Sequence, residues 1–178
     1  MAFFSGGEDR VKLIILYILK AFRTPITWEQ LYTALAYQDG PGFFEAGRLY
    51  NELAAEGFIV SVPAKGQQLL SLTEKGETAC SLFANEIAKS VRDSAEAYAE
   101  ANREAFKRAN CVVSDAKPLP GGAWQLTLAL LDNGGSLFEM NMRMPDAAYA
   151  RRASRYWTEH SEELYMYLLK EMTGEKTE

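Results

Sequence analysis

The sequence is poor in the residues that most often build metal sites and redox centres. Its only histidine is His160, its two cysteines are Cys80 and Cys111, and no CxxC or HxxxH spacing occurs. A metal ion would therefore lack ligands at the usual spacing. Two isolated cysteines are typical of structural thiols in a reducing compartment. We predict no metal, no cofactor and no redox pair.

Motifs of catalysis and of membrane insertion are also missing. The chain has no glycine-rich phosphate loop and no serine or cysteine nucleophile near a histidine in a known motif. Its carboxylates are plentiful, but they occupy exposed helical positions where pairs arise by chance. The apolar run Leu13–Leu19 is far too short to cross a bilayer, and the amino terminus lacks the apolar core of a signal peptide. We predict a cytoplasmic protein that is not an enzyme.

Positive charge is scarce as well. The net charge is −5, and residues 1–75 contain seven basic side chains against eight acidic ones. Phosphate contacts supply most non-specific affinity for DNA, so a DNA-binding domain is usually visibly basic. A DNA-binding surface on this protein would have to be locally basic and assembled from more than one chain.

Residues 1–73 have the element order of a winged helix-turn-helix domain. Apolar residues recur at helical spacing from Val11 to Phe22. Thr27 and Gln30 have the capping-box spacing that begins a second helix. A third helix ends at Gly57, where a glycine can take the left-handed conformation. The segments "FIVSV" and "QLLSL" that follow predict a β-hairpin, the wing.

The first of these helices is apolar on two sides. Ile15 and Ile18 belong to one side, whereas Leu13, Leu16 and Tyr17 supply a second. Because both sides have to be covered, we expect the helix to meet another domain or another subunit as well as its own core. This pattern contributes to the prediction of a homodimer.

Residues 74–110 predict a helical connector, and residues 111–178 predict a second module. Ser90 and Asp93 have capping-box spacing, which indicates a break or bend near Ser90 in the connector. After it, three segments alternate at period two between "PGG" and "DNGG" turns, which predicts a three-stranded antiparallel meander. The fold class is therefore α+β.

A final helix is predicted to begin at Pro145 and Asp146, to run to about Met172 and to cover the meander. Its predicted apolar side consists of Tyr149, Ala153, Tyr156, Trp157, Leu164, Tyr167 and Leu168. Three strands under one helix bury little surface. We therefore interpret residues 111–178 as a dimerisation or sensing module.

Several of these segments resemble a known family. They are "KLIILYIL", "ITWEQLYTAL", "LYNELAAEGFI", "LTEKG" and "ARRASRYWTEHSEELYMYLLKEM". Together they resemble a bacterial family of domains of unknown function whose members are labelled winged-helix transcriptional regulators, and the resemblance covers nearly the whole chain. The amino-terminal half is also loosely similar to PadR-type regulators. That resemblance implies dimerisation, but a meander with a helix differs from the carboxy-terminal region of PadR-type proteins, so their dimer geometry is not carried over.

The candidate DNA-binding residues lie on the third helix and in the wing. In a helix-turn-helix, side chains near the start of the second motif helix reach base edges, while its flanks and the wing contact phosphates. The corresponding residues are Phe43, Phe44, Glu45, Arg48, Asn51 and Lys65. Arg48 and Asn51 have the chemistry to read guanine and adenine, whereas Glu45 can accept from a cytosine amine but repels phosphates. We predict binding of double-stranded DNA in transcription control.

Two other functions stay open. In the first, the winged helix binds a protein partner and does not bind DNA. In the second, the carboxy-terminal module senses an effector of unknown identity. The aromatic residues Tyr149, Tyr156, Trp157 and Trp124 would line such a pocket with the methionines of the last strand, or form a core instead.

A second concentration of positive charge lies on the final helix. Arg151, Arg152 and Arg155 are interpreted as a solvated face that pairs with Glu159 or Glu163, in preference to a phosphate site. His160 lies on or beside the apolar stripe of the same helix. It is interpreted as a packed or surface histidine in preference to a pH sensor.

Overall fold

A computed structural model describes residues 7–64, 66–132 and 135–174. These ranges contain six α-helices and five strands, and the strands form two antiparallel sheets of two and three strands. The chain divides into two compact units, Met1–Asn110 and Cys111–Glu178. The predicted α+β class is confirmed.

The first unit consists of three helices, a hairpin and two further helices. Its elements are α1 (Gly7–Phe22), α2 (Trp28–Ala36), α3 (Phe43–Ala55), β1 (Ile59–Ala64), β2 (Gln67–Leu72), α4 (Glu74–Phe83) and α5 (Lys89–Cys111). An isolated antiparallel bridge joins Ile26, between α1 and α2, to Leu70 of β2. The two residues exchange both backbone hydrogen bonds, at 3.2 and 2.8 Å. The hairpin is thus tied to the helices by the chain that enters α2.

The start of α2 is the one that the sequence predicts. The Thr27 side chain accepts from the Gln30 N–H at 3.3 Å, and the Gln30 side chain accepts from the Thr27 N–H at 2.9 Å. This reciprocal pair satisfies two amide groups that would otherwise lack partners at the helix start. The capping box at Thr27 is therefore confirmed.

Both sides of α1 are covered within the first unit. Leu13 and Leu16 are buried as completely as Ile15 and Ile18, because α2, α3 and α4 all pack on this helix. Helix α4, which lies in the predicted connector and outside residues 1–73, thus contributes to the cover of α1, and the burial of both sides does not require a second subunit. The pattern in α1 does not argue for a dimer.

The connector is broken shortly before Ser90. Helix α4 ends at Phe83, a single 3-10 turn covers Ala84–Glu86, and Ile87 is extended with φ −81° and ψ 132°. Ile87 is 1% exposed. Burial of this one side chain accompanies the interruption of a run of good helix formers. Helices α4 and α5 up to Asn110 belong to the first compact unit.

The second unit is the predicted meander with its covering helix. Its elements are β3 (Val112–Pro118), β4 (Trp124–Asp132), β5 (Gly135–Met144) and α6 (Ala147–Thr173). The strands pair antiparallel in the order β3-β4-β5, and the Asp146 carboxylate caps α6 by accepting from the Ala148 and Tyr149 N–H groups. Trp157 forms the centre of the core with Leu126, Leu128 and Leu130.

The predicted apolar side of α6 is only partly correct. Trp157 is buried, and Ala153 and Leu164 pack on the core beside it. Tyr149, Tyr156 and Tyr167 are instead 52%, 55% and 60% exposed. Helix α6 is interrupted at His160, which has φ −127° and ψ 19°. Before this break the buried stripe runs through Ala150 and Trp157, about a quarter turn away from Tyr149 and Tyr156.

Candidate functional site

Helix α3 has one side in the core and one side open. Ala46, Leu49 and Leu53 are fully buried. The residues predicted to contact DNA all lie on the open side, where Phe43, Phe44, Glu45, Arg48 and Asn51 are exposed. Phe43 and Phe44 are 49% and 91% exposed. Lys65, the predicted wing contact, lies outside the described residues.

The amino-terminal end of α3 has open amide groups. Gly42 is its N-cap residue, and no side chain caps the helix there. The first N–H groups of a helix have no partner within the helix, so a cap, water or a ligand has to satisfy them. Their partial positive charge attracts anions, phosphate included. This end of α3 therefore offers hydrogen-bond donors without needing a lysine or an arginine.

The carboxy-terminal end of α3 is closed by the predicted glycine. Gly57 has φ 76°, a conformation in which a Cβ atom is strained. The Phe58 N–H donates to the Leu53 carbonyl at 2.9 Å, and the Gly57 N–H donates to the Ala54 carbonyl at 3.0 Å. This pair of bonds is the Schellman arrangement. It turns the chain directly into β1.

The segment "LTEKG", at the start of α4, contacts the residues at which α3 ends. The Thr73 hydroxyl donates to the Gly57 carbonyl at 2.7 Å and accepts from the Gly76 N–H at 3.1 Å, which makes it the N-cap of α4. Lys75 Nζ donates to the Glu56 carbonyl at 2.6 Å and lies 4.2 Å from the centre of the Phe58 ring. The start of α4 thereby fixes the end of α3.

A cluster of aromatic rings flanks the open side of α3. Trp28 lies edge-on to Phe43, with ring centres 5.7 Å apart, and packs on Tyr50 at 5.2 Å. Tyr32 is edge-on to Phe43 at 5.0 Å. A shallow groove of about 680 Å³ runs along this surface, lined by Trp28, Phe43, Phe44, Gly47, Arg48, Tyr50, Asn51, Glu52 and Ala55. The site is thus aromatic at one end and charged at the other.

Arg48, the only cation on α3, is held by two carboxylates. Its guanidinium donates to Glu52 one turn along the helix at 2.6 Å and to Glu8 of α1 at 2.7 Å. Its side chain is nevertheless 47% exposed. Exposed ion pairs are worth little because water competes for both partners. Arg48 can therefore exchange a carboxylate for another acceptor at small cost.

Lys12 of α1 completes this ion-pair cluster. Its ammonium lies 2.9 Å from Glu52 and 3.6 Å from Glu56. The hydrogen bond from Lys12, followed by that from Arg48, lowers the pKa of Glu52, and the same bond to Glu52 raises the pKa of Lys12. With Glu8 and Glu56 the cluster contains three carboxylates and two cations, so the face stays slightly negative.

The lowered pKa of Glu52 predicts an acid-dependent stability. Because the fold favours the carboxylate, its contribution is fully present above the ordinary pKa of 4.5 and is lost as the pH falls through the lower pKa of the folded state. We expect Glu52→Gln to flatten the fall in the thermal midpoint below about pH 5. Circular dichroism melts of both proteins across the pH range measure this.

The matched control for this titration is Glu45→Gln. Glu45 lies on the same helix and has no hydrogen-bond or ion-pair partner in the part of the chain that the structure describes. Its replacement should leave the fall of the thermal midpoint at low pH as steep as in the unchanged protein. If Glu52→Gln leaves the fall of the thermal midpoint at low pH unchanged, Glu52 is not the source of the acid-dependent stability.

The other predicted sites do not form a second centre. The aromatic set is split, since Trp157 is buried while Tyr149 and Tyr156 are exposed, and the methionines of β5 pack in the core around Trp157. Burial raises the pKa of the Cys80 thiol to about 11, which keeps it protonated and unreactive. In the described ranges, no group of three or more potential ligands could hold a metal ion.

On α6, the three arginines are exposed, as expected for a solvated face. Their expected pairing with Glu159 or Glu163 is not found among the described residues, where Glu163 pairs with His160. His160 lies beside Tyr156, with ring centres 4.5 Å apart, and its Nδ1 is 3.2 Å from Glu163. It is a surface histidine that contacts its own helix. Of the helices that the structure describes, none is both long enough and apolar enough to span a membrane.

Three contributors to the site were not found from the sequence. Glu8 and Lys12 lie 40 residues before their partners Arg48 and Glu52, and Trp28 belongs to a different helix from the predicted site. Contacts between separate helices leave no periodic signal within either helix. The one available hint for Trp28 was its position next to the capping residue Thr27, at the first turn of α2.

Comparison with known proteins gives one match. Residues 11–172 match the profile of a family described as a domain of unknown function (DUF4364). No curated protein and no solved structure matches the chain. The match covers both compact units, which agrees with the family resemblance of segments from both halves of the sequence. The protein therefore belongs to the DUF4364 family of domains of unknown function.

Proposed function

We propose that this protein is a DNA-binding transcriptional regulator that acts as a homodimer through a winged helix-turn-helix in its first unit. One observation carries the proposal. Helix α3 has its inner side in the core, whereas Arg48 and Asn51, one turn apart, stand on an open outer side. An α-helix presented in this way fits the major groove, where base edges can be distinguished.

The order of elements supports the same proposal. A helix α2 with a capping box is followed by a turn, by α3 and by the hairpin β1-β2. The bridge between Ile26 and Leu70 joins the hairpin to the entry of α2. In a winged helix-turn-helix, this arrangement sets the wing beside the recognition helix, so that both reach one stretch of DNA.

Because the first unit is nearly neutral, its binding to DNA would depend on a few specific contacts. Arg48 would leave Glu8 for a guanine edge, and the open amides that follow Gly42 would receive a backbone phosphate. Few lysines and arginines are then needed, and non-specific affinity stays low. Two such units in a dimer would supply the affinity that one lacks.

Binding to DNA can be tested with Arg48→Ala. Genomic fragments, including the promoter of the protein's own gene, are offered at several salt concentrations, and retained fragments are titrated by fluorescence anisotropy. We expect affinity to fall steeply with salt. Arg48→Ala should weaken specific binding by roughly 5-fold to 150-fold, the range for loss of one bidentate base contact. Arg108→Ala, which removes the same charge from α5, should bind normally.

A second variant, Gly42→Asp, tests the contribution of the amino terminus of α3 to DNA binding separately from that of Arg48. Gly42 has φ −60° and ψ 161°, and an added Cβ would meet no atom within 4 Å, so Gly42→Asp fits without strain. The aspartate would cap α3 and leave folding stability unchanged or slightly raised. It should nevertheless weaken DNA binding, because it occupies the amides and repels phosphate. Retention of no fragment at low salt would refute the DNA-binding function.

A second candidate function is protein contact through the same face. Phe44 is 91% exposed beside Phe43 and the groove floored by Trp28, and exposed aromatic residues are typical of protein-binding surfaces. The two functions predict different sensitivities. Phe44→Ala should leave the salt dependence of DNA binding unchanged, but it should abolish binding to a protein partner.

A further inference from the structure

Strand β5 lies at one end of the three-stranded sheet, so only its edge toward β4 is paired. Its other edge makes no backbone hydrogen bond to a further segment of the described residues. Backbone N–H and C=O groups on such an edge are a template for the addition of another strand. The segment Phe138–Met144 is regular, because it pairs with β4 in continuous register and the register shift between Leu130 and Leu131 lies before it.

The opposite edge of the sheet, β3, is protected against such pairing. It ends on Pro118, which cannot donate a backbone hydrogen bond. Lys117 on this edge already forms an ion pair with Asp115, at 2.9 Å. Strand β5 contains no proline, and its Arg143 has no ion-pair or hydrogen-bond partner among the described residues. Of the two edges, β5 is therefore the open one.

The side chains of Phe138–Met144 alternate between the two faces of the sheet. Toward α6 lie four half-buried apolar side chains, those of Phe138, Met140, Met142 and Met144. On the other face lie three exposed polar side chains, those of Glu139, Asn141 and Arg143. Helix α6 packs more closely on β3 and β4 than on β5, so it covers the apolar residues of β5 only in part. The open edge thus offers both apolar surface and charge.

The charges of this segment are self-complementary. Glu139 and Arg143 are its only charged residues, and each lies two residues from Asn141. Directly opposite residues of an antiparallel pair point to the same face. Pairing of two such segments about Asn141 therefore sets Glu139 of each strand opposite Arg143 of the other. On the other face, the same register sets Met140 opposite Met142. A twofold interface requires this reciprocity.

We propose that β5 pairs antiparallel with β5 of a second copy of this chain, with the twofold axis at Asn141, so that two three-stranded sheets form one sheet of six strands. Glu139, which accepts from the Asn141 amide at 3.1 Å, then also pairs with the arginine at position 143 of the second copy. Moving the axis to a neighbouring residue, Met140 or Met142, would remove both ion pairs. The reciprocal charges therefore select the register and also the occupant, since an unrelated strand would not need to carry them.

Backbone hydrogen bonds supply most of the pairing. Seven opposed residues exchange roughly six to eight of them, because alternate pairs exchange two bonds each. The two cross-strand ion pairs contribute less and mainly fix the register. Methionine side chains adapt readily to a partner surface, so the half-buried methionines of the two strands can pack against one another.

This inference rests on the homodimer of the proposed function and is independent of DNA binding. Sedimentation velocity of the full chain at low salt, across a dilution series, tests it. We expect twice the chain mass of 19.9 kDa. Glu139→Arg and Arg143→Glu should each raise the dissociation constant at least about 5-fold, because each turns two attractive cross-strand contacts into repulsive ones. The double variant should restore the dimer.

Lys117→Glu is the matched control. Lys117 is exposed on the edge strand β3, so the same charge change at the other edge of the sheet should leave the dimer intact. Circular dichroism melts establish that every variant is folded. A monomeric parent protein would overturn the inference, and so would a dimer that neither β5 exchange weakens. A double variant that stays monomeric would overturn it too. A dimer insensitive to the β5 exchanges that still binds DNA would leave the proposed function standing while this interface fails.

A disulfide at the axis tests the register directly. In Asn141→Cys, the Cβ atoms of the two copies would lie about 4.5 to 5.5 Å apart, so mild oxidation should link them covalently. Thr127 is the residue of β4 opposite Asn141. In Thr127→Cys the two thiols would be separated by three strand spacings, roughly 14 Å, which is too far for a disulfide. The native Cys80 and Cys111 are buried. Non-reducing electrophoresis reads the result, and an Asn141→Cys protein that is not cross-linked would overturn the register.

Discussion

Replacing Gly76 with alanine is expected to lower the free energy of unfolding by about 2 to 3 kcal/mol. A Cβ atom there would lie 2.2 Å from the Phe58 carbonyl oxygen and 3.2 Å from a methyl carbon of Leu72. The carbonyl cannot rotate away as a flexible side chain would, because it accepts from the Thr73 N–H at 3.0 Å. Either α4 or the exit of α3 has to move. The helical propensity that alanine gains does not offset this clash.

Urea unfolding followed by circular dichroism measures the loss, which corresponds to a fall of roughly 10 °C in the thermal midpoint. The control is Gly47→Ala, also a glycine within a helix. An added Cβ at Gly47 would meet only Trp28, at an ordinary contact distance of 3.8 Å. That variant should be stabilised by up to about 1 kcal/mol. Equal stabilities of the two variants would show that α4 does not approach Phe58 this closely.

Replacing Trp157 with alanine is expected to unfold the second unit. The indole is 1% exposed, lies at the centre of the core and packs on Phe138 with ring centres 5.6 Å apart. Loss of a buried tryptophan costs about 3 to 5 kcal/mol. A unit of this size has a stability of roughly 3 to 10 kcal/mol. Limited proteolysis should therefore cleave within residues 111–178 and leave the helices of the first unit intact.

Trp157→Phe is the control for this experiment. Phenylalanine keeps an aromatic ring in the core and removes the indole N–H, which is buried with no hydrogen-bond partner in the described part of the chain. An unsatisfied buried donor costs about 1 to 3 kcal/mol. The phenylalanine variant should lose less than half of what the alanine variant loses. Proteolysis of the alanine variant at the parental rate would contradict a central role for this ring.

Local patterns were sufficient for much of the fold. The start of α2 was predictable because a capping box is made by residues three apart, Thr27 and Gln30. The exit of α3 was predictable because Gly57 provides a conformation that other residues adopt at a cost. The meander followed from strict alternation and from glycine-rich turns. In each case the deciding interaction lies within a few residues of chain.

Features that depend on distant contacts were not predictable. The capping-box spacing of Ser90 indicated a break in this region, but α5 already begins at Lys89, and the burial of Ile87 that accompanies the break has no local signal. Tyr149, Tyr156 and Tyr167 of α6 were predicted to belong to its buried side but are exposed, since periodicity does not tell which of two neighbouring stripes faces a sheet. The bond from Arg48 to Glu8 joins residues 40 apart. No local pattern in the sequence indicates this bond, although it brings a further carboxylate to the candidate site.

The contact between the end of α3 and the start of α4 separates the hairpin tip from the helices of the first unit. Thr73 and Gly57 meet at the base of the hairpin, so the seventeen residues from one to the other form a loop closed at its neck. Changes in the length of the hairpin tip would not be transmitted to α3, because loop closure becomes only slowly less favourable with length. A longer or shorter tip should therefore leave the orientation of α3 unchanged.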